Sequence, residues 1–170
     1  MNFCHLNAHS KASMLYGSAD IKELVTRAKS VGQTALALTD YNNLYNAVNF
    51  FTEATSAGVK PIIGVDLLFC EDAAELKIQK SRQVSHIVLL AENDAGLRNI
   101  ARLVSWAHTE DYFYYNPRVD FKLLEKYKEG VICLTGSSLD GIISTNLYDR
   151  LSPDGDVTEP AAIFKAEGLI

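Results

Sequence analysis

Short apolar runs alternate along this chain with stretches whose apolar positions recur at helical spacing. Residues 3–6 predict a first strand and residues 9–17 a polar loop. Asp20, Ile21, Lys22 and Glu23 have the form of a capping box, Asp20 capping and Glu23 reaching back. Ile21, Leu24, Val25, Ala28 and Val31 then fall on one helical face, and Gly32 is a natural stop. Residues 34–39 predict a buried strand. Residues 44–56 predict a second helix that buries Ala47, Val48, Phe51 and Ala54 and ends near Gly58. Residues 61–69 predict the third strand, the charged and polar stretch 71–85 a surface excursion, and residues 86–91 the fourth strand. Asn93 or Asp94 is placed to cap a helix burying Leu97, Ile100, Ala101 and Val104. The aromatic stretch 111–117 predicts irregular chain, and Asp120 a cap for a short helix through Tyr127. Residues 130–135 predict the fifth strand and 139–151 another helix; residues 152–160 predict a loop and 161–167 a short helical tail.

Strand and helix alternating about five times imply βαβ units with parallel strands, in a doubly wound sheet or a barrel. In a barrel, polar residues at the C-terminal ends of strands converge on one face. Asn7, His9, Asp40, Asp66, Gly136 and Ser137 hold such positions, whereas His86 opens its strand. One domain is expected over residues 1–150, with 151–170 leading toward the rest of a longer polypeptide. Neither an internal repeat nor a low-complexity tract is present.

Composition narrows the classes. Hydrophobic residues make up 48% and charged residues 22% of 170, as in an ordinary globular domain. No run approaches the roughly 18 apolar residues of a membrane span, and the N-terminus lacks the pattern of a secretory signal, so a cytoplasmic protein with no membrane partner is expected. The net charge of −5, with Lys and Arg dispersed, argues against this segment gripping a phosphate backbone. Cys4, Cys70 and Cys133 lack metal-site spacing, and each is expected to be a reduced thiol packed as a small hydrophobe.

Six segments, in order, resemble one family. His5 to Ser10 (HLNAHS) is similar to HLHxHT/S, and Leu38 to Val48 (LTDYNNLYNAV) to ITDHGNMYGAV. Val59 to Asp66 (VKPIIGVD) is similar to IKPIIGCE, and His86 to Ala91 (HIVLLA) to HLVLLA. Tyr112 to Asp120 (YFYYNPRVD) is similar to GFYYKPRID, and Gly130 to Ser137 (GVICLTGS) to GLIALSGC. Together, over about residues 3–145, they resemble the N-terminal PHP (polymerase and histidinol phosphatase) domain of bacterial DNA polymerase III alpha subunits, the C-family replicative polymerases. The resemblance implies a distorted, TIM-barrel-like (βα)7 α/β barrel, incomplete in this chain. It also implies a site that holds up to three metal ions in active members.

Carried over residue by residue, that site is eroded. Asn7 stands at the first position of the HxH pair and His9 at the second. Tyr16 stands where an Asp is expected, and Tyr41 replaces the His of TDH. Asp66 replaces a Glu, His86 is kept, and Ser137 replaces a Cys. A later DxH pair is absent. His9, Asp66 and His86 are the remaining candidate metal ligands. Metal-dependent phosphoesterases need a cluster of His and carboxylate ligands to lower the pKa of a bound water. No cofactor is therefore expected beyond at most one weakly held Zn²⁺, Mn²⁺ or Mg²⁺ ion, and no catalytic residue is assigned.

The function expected is a structural and docking module that braces the polymerase domains and binds the proofreading exonuclease subunit, with DNA reached only through the parent protein. The alternative is an active metal-dependent phosphoesterase or 3′–5′ exonuclease of the same superfamily. An enzyme of another class has little support, since neither a glycine-rich phosphate loop nor a nucleophile elbow is present. Elsewhere the residues have plain structural readings. His5 packs or hydrogen-bonds, His108 is at the surface, and Asp40 anchors the Asn42–Asn43 turn. Tyr112, Tyr114 and Tyr115 pack a loop rather than stack bases. Lys77, Lys80 and Arg82 sit on a solvated loop.

Overall fold

The computed structural model describes residues 3–137 and 139–145. Its elements are α1 (Ile21–Ser30), β1 (Ala35–Leu38), α2 (Ala47–Ala57), β2 (Lys60–Phe69), α3 (Ala73–Ile78), β3 (Ser85–Ala91), α4 (Asp94–Ala107), β4 (Phe113–Tyr114), β5 (Asn116–Pro117), α5 (Phe121–Lys126) and β6 (Val131–Leu134). The end of the helix expected over 139–151, the loop 152–160 and the tail 161–167 lie outside the described residues.

Local signals were translated directly. Asp20 and Glu23 form the capping box of α1, and Gly32 follows its C-cap with φ +77°. Asn93 caps α4 through Gly96 N, and Asp120 caps α5 through Leu123 N.

The sheet order is β1-β2-β3-β6, and only β1 and β2 run parallel. β3 is antiparallel to both β2 and β6, which corrects the expectation of an all-parallel sheet. The connection from β2 to β3 carries only the six-residue α3, and Ser85 pairs beside Phe69 at the end of β2. The stretch 71–85, expected as a surface excursion, contains this short helix. Among the described residues no strand pairs β6 with β1, so the strands form an open mixed α/β sheet.

Residues 3–6 are not a strand. They run beside β1, where His5 O accepts from Ala37 N (2.9 Å) and Ala8 O accepts from Thr39 N (2.9 Å). The return bonds go to side chains: His5 N donates to Gln33 Oε1 and Ala8 N to Thr39 Oγ1. The ladder is thus half backbone and half side chain.

One core cluster joins β2 and β3 to α4 and α5 through Val65, Leu67, Ile87, Leu89, Ile100 and Leu103. Another joins α1, α2 and β1 through Ile21, Val25, Leu36, Leu38, Phe50 and Ala54. Two helical faces differ from expectation. α2 buries Phe50 and Ala54 and leaves Val48 and Phe51 exposed. α4 buries Ile100, Leu103 and Ala107, with Ala101 outside and Leu97 partly exposed. In both, several adjacent apolar residues allow more than one phase.

The aromatic stretch forms the β4–β5 hairpin rather than irregular chain. Beyond it, Arg118 is fully buried. It donates to Ala73 O (3.3 Å) and Ser81 O (3.4 Å), bridging both ends of α3, while its Nε has no partner. Arg82 lies 3.5 Å over the Tyr115 ring, and Lys77 Nζ donates to Glu110 O. The 71–85 segment is therefore pinned to the hairpin rather than solvated throughout. Cys70 is buried as expected, but Cys133 is exposed on the outer strand β6. His5 and His108 are exposed, and His108 Nδ1 lies 2.8 Å from Val104 O.

Gly96 is closely packed against the turn at Gly130. A Cβ there would lie 1.7 Å from Gly130 O, so only glycine lets α4 meet this turn. Gly96→Ala is expected to cost about 1–3 kcal/mol by overpacking, read as a lower urea midpoint at unchanged m-value.

Candidate functional site

The site gathers at the C-terminal end of β1, on the adjoining half of β2 and at the start of β3. Asp40, just after β1, is 2% exposed and accepts from Ser10 N (2.7 Å), Ser10 Oγ (2.8 Å) and Ser13 Oγ (2.7 Å). It therefore anchors the 10–13 loop, not the Asn42–Asn43 turn. Asn42 orders that turn itself: its N donates to Asp66 O and its Oδ1 accepts from Leu68 N. Ser13 Oγ in turn accepts from Tyr41 N, and Ser10 Oγ accepts from Asn46 Nδ2. The loop carrying His9 and Tyr16 is thus fastened to the segment carrying Tyr41.

The three candidate ligands come together. His86 Nδ1 lies 2.8 Å from Asp66 Oδ1. His9 Nε2 lies 3.2 Å from Asp66 Oδ2, within ion-pairing distance but off the hydrogen-bond direction. Tyr41 stacks on His86, with ring centres 5.4 Å apart, and Tyr16 stacks on Tyr41 at 4.3 Å. Two aromatic side chains therefore cover the carboxylate and its imidazoles.

The remaining positions are not brought into this group. Asn7 Oδ1 accepts from Thr39 Oγ1 (2.6 Å) and so serves the β1 edge. Ser137 Oγ donates to Asp140 and accepts from Leu139 N, which makes it part of a turn. The turn does contribute Asp140, whose carboxylate lies 3.9 Å from His86 Nε2. Asp140 was not foreseen. It reaches His86 only because β6 pairs antiparallel to β3 and Gly141 then bridges back to His86, a tertiary fact with no local signature.

Electrostatics follow from these contacts. Burial alone would raise the Asp66 pKa, but the bond from His86 and the contact with His9 outweigh it and hold the carboxyl below its ordinary value. The bond to Asp66 raises the His86 pKa against burial, aided by the charges of Asp66 and Asp140. Burial, then the neighbouring Tyr16 and the Asp66 charge, pushes the Tyr41 hydroxyl well above its ordinary value, so it stays neutral.

As arranged, Asp66 faces an imidazole on each oxygen. Among the described residues no group of three or more His, Cys, Asp or Glu side chains is disposed to hold a metal ion. The donor set does not fit the cluster that the resemblance implied.

A profile of the PHP domain matches residues 5–166. This chain belongs to the PHP-domain family. It is similar to the DNA polymerase III subunit alpha of Borreliella burgdorferi, 41% identical over 143 residues, which covers 83% of this chain and 12% of the relative. The same subunit of Chlamydia pneumoniae is 43% identical over 138 residues, covering 80% and 11%. That of Chlamydia muridarum is 38% identical over 169 residues, covering 98% and 14%. The chain thus spans a small fraction of the length of these relatives. Among solved structures, an amidohydrolase from Chromobacterium violaceum aligns over 59% of this PHP domain and 32% of its own chain, at 22% identity and a TM-score of 0.44. Among the described residues no helix is long and apolar enough to cross a membrane.

Proposed function

We propose that this PHP domain is a non-catalytic structural and docking module of a bacterial DNA polymerase III alpha subunit. In this reading it works in the cytoplasm, braces the polymerase domains and binds the proofreading exonuclease subunit. Its mixed sheet is read as part of a PHP-type distorted (βα)7 barrel. Nucleotidyl transfer belongs to other parts of such a polypeptide.

One observation carries the reading. Asp66, the carboxylate a metal would need, is held between His9 and His86 beneath the Tyr16–Tyr41 stack. A phosphoesterase must leave such oxygens free to hold a cation that acidifies water. Here the pairing neutralises the buried charge from within the chain, and the rings take up space a metal-bound water would use.

Elemental analysis of the chain, loaded with excess Zn²⁺ or Mn²⁺ and then dialysed, tests this. Well under one ion per chain is expected, with no metal-dependent release of phosphate from p-nitrophenyl phosphate and no change of Tm on adding EDTA. Two or more tightly retained ions, or a hydrolytic rate that His9→Ala abolishes, would overturn it.

A further inference from the structure

We infer that the outer stripe of α4 formed by Arg98, Arg102 and Trp106, together with Lys126 and Tyr127, is a binding surface for an extended acidic peptide segment of another protein. The inference goes beyond the structural-module reading and does not depend on it.

Arg98, Arg102 and Trp106 are exposed and follow at four-residue steps. Each is therefore about 6 Å further along α4 than the last and about 40° around it. At the end of α5, Lys126 Nζ lies 5.5 Å from the centre of the Trp106 ring and 5.2 Å from that of Tyr127. Arg102 lies over Tyr127 at 5.9 Å, and Trp106 Nε1 donates to the Tyr127 hydroxyl (3.0 Å). Arg102 Nη1 also donates to Asn99 Oδ1 (3.0 Å), and the buried Asn99 donates in turn from Nδ2 to Glu129 O (2.9 Å). A buried amide thus holds the guanidinium in place without neutralising it. Preorganisation of this kind lowers the ordering cost of binding.

The positive charges of this group are unanswered. Lys11, Lys122 and Lys128 each reach a carboxylate of the chain. Among the described residues, Arg98, Arg102 and Lys126 form no ion pair. Glu125 is taken by Lys128, and neither Asp94 nor Glu129 reaches any of the three. Three cations gathered on one face, two of them set over aromatic rings, are left free to meet carboxylates from outside.

Charge complementarity and spacing select the occupant. Alternate side chains of an extended peptide lie about 6–7 Å apart on one face, close to the step of about 6 Å from Arg98 to Arg102. Carboxylates at alternate positions can therefore meet both guanidiniums, each contact a charge-assisted hydrogen bond. A nucleic acid fits less well. Base stacking needs an open ring face, and here Tyr112 and Lys126 lie against Trp106 while Arg102 and Lys126 lie over Tyr127. The net charge of −5 also repels a long polyanion, whereas a short acidic segment meets the local cations, with distant charges screened by salt.

Trp106 is the single tryptophan of the 170-residue chain, so its fluorescence reports directly on this surface. Titration of the chain with a peptide of alternating Glu and Ser is expected to give a saturable change that weakens as salt is added and is lost with a peptide of alternating Gln and Ser. The double variant Arg98→Gln, Arg102→Gln leaves Trp106 and Lys126 in place and is expected to weaken binding of the Glu peptide about fivefold or more. Its Tm is expected to move by no more than about 3 °C, since both side chains are exposed. No saturable change with the Glu peptide, a change that salt leaves untouched, or equal binding by the double variant overturns the inference. Oligothymidylate that binds as tightly as the Glu peptide overturns it in favour of a nucleic-acid surface.

Discussion

Asp40→Ala is expected to destabilise the domain by about 3–5 kcal/mol, since each buried donor left without its acceptor costs about 1–3 kcal/mol. Its carboxylate accepts three hydrogen bonds, all from the 10–13 segment, in a nearly solvent-free position. Truncation leaves Ser10 N and two hydroxyls without that acceptor. The hydroxyls also accept from Asn46 Nδ2 and Tyr41 N, so the loss spreads to the start of α2 and the base of the aromatic stack. Urea denaturation gives the energy, and hydrogen exchange gives its location: the amides of residues 9–17 should lose protection first. Asp40→Asn is expected to cost less, because the amide keeps one acceptor oxygen. A loss below about 1 kcal/mol for Asp40→Ala, or unchanged protection of the loop, contradicts the anchoring role.

Asp40 also shows where sequence reasoning ends. The residue at the end of β1 was identifiable as a turn-ordering carboxylate, but Asn42 already orders the nearer turn, and Asp40 reaches back across 30 residues to Ser10. Features set within a few residues were legible: the capping box at Asp20, the Gly32 stop, the caps at Asn93 and Asp120, and the runs of β1, β2, β3 and β6. Those set by packing were not. Phe50 and Phe51 are adjacent, and only the tertiary contact of α2 with α1 and β1 decides which turns inward. Strand direction was missed because it is set by pairing across the sheet and leaves no local pattern in the sequence. At the site, strand-end placement brought His9 and Asp66 together, and the family resemblance added His86 and the two tyrosines. How the Asp66 oxygens are used, and that Asp140 joins them, depends on side-chain directions that no spacing encodes.

That use of Asp66 makes stability depend on pH in a defined way. Asp66→Ala is expected to cost about 3 kcal/mol near pH 6, since it leaves two imidazoles without their shared carboxylate. The wild-type dependence has two limbs of opposite sign. The folded Asp66 pKa is depressed, so its contribution is full above the ordinary Asp value near 3.9 and is lost as pH falls through the lower folded value. The folded His86 pKa is raised, so its contribution is full below the ordinary His value near 6.5 and fades as pH rises through the higher folded value. The pair therefore stabilises most between about pH 4 and 6.5. The same window opposes a metal: protonated His86 is a poor ligand, and the bond that raises its pKa is the one that occupies Asp66 Oδ1. Denaturation midpoints measured from pH 4 to 9 should fall across the upper limb in the wild type and flatten there in Asp66→Ala. Parallel profiles for the two proteins would show that the buried pair contributes nothing beyond packing.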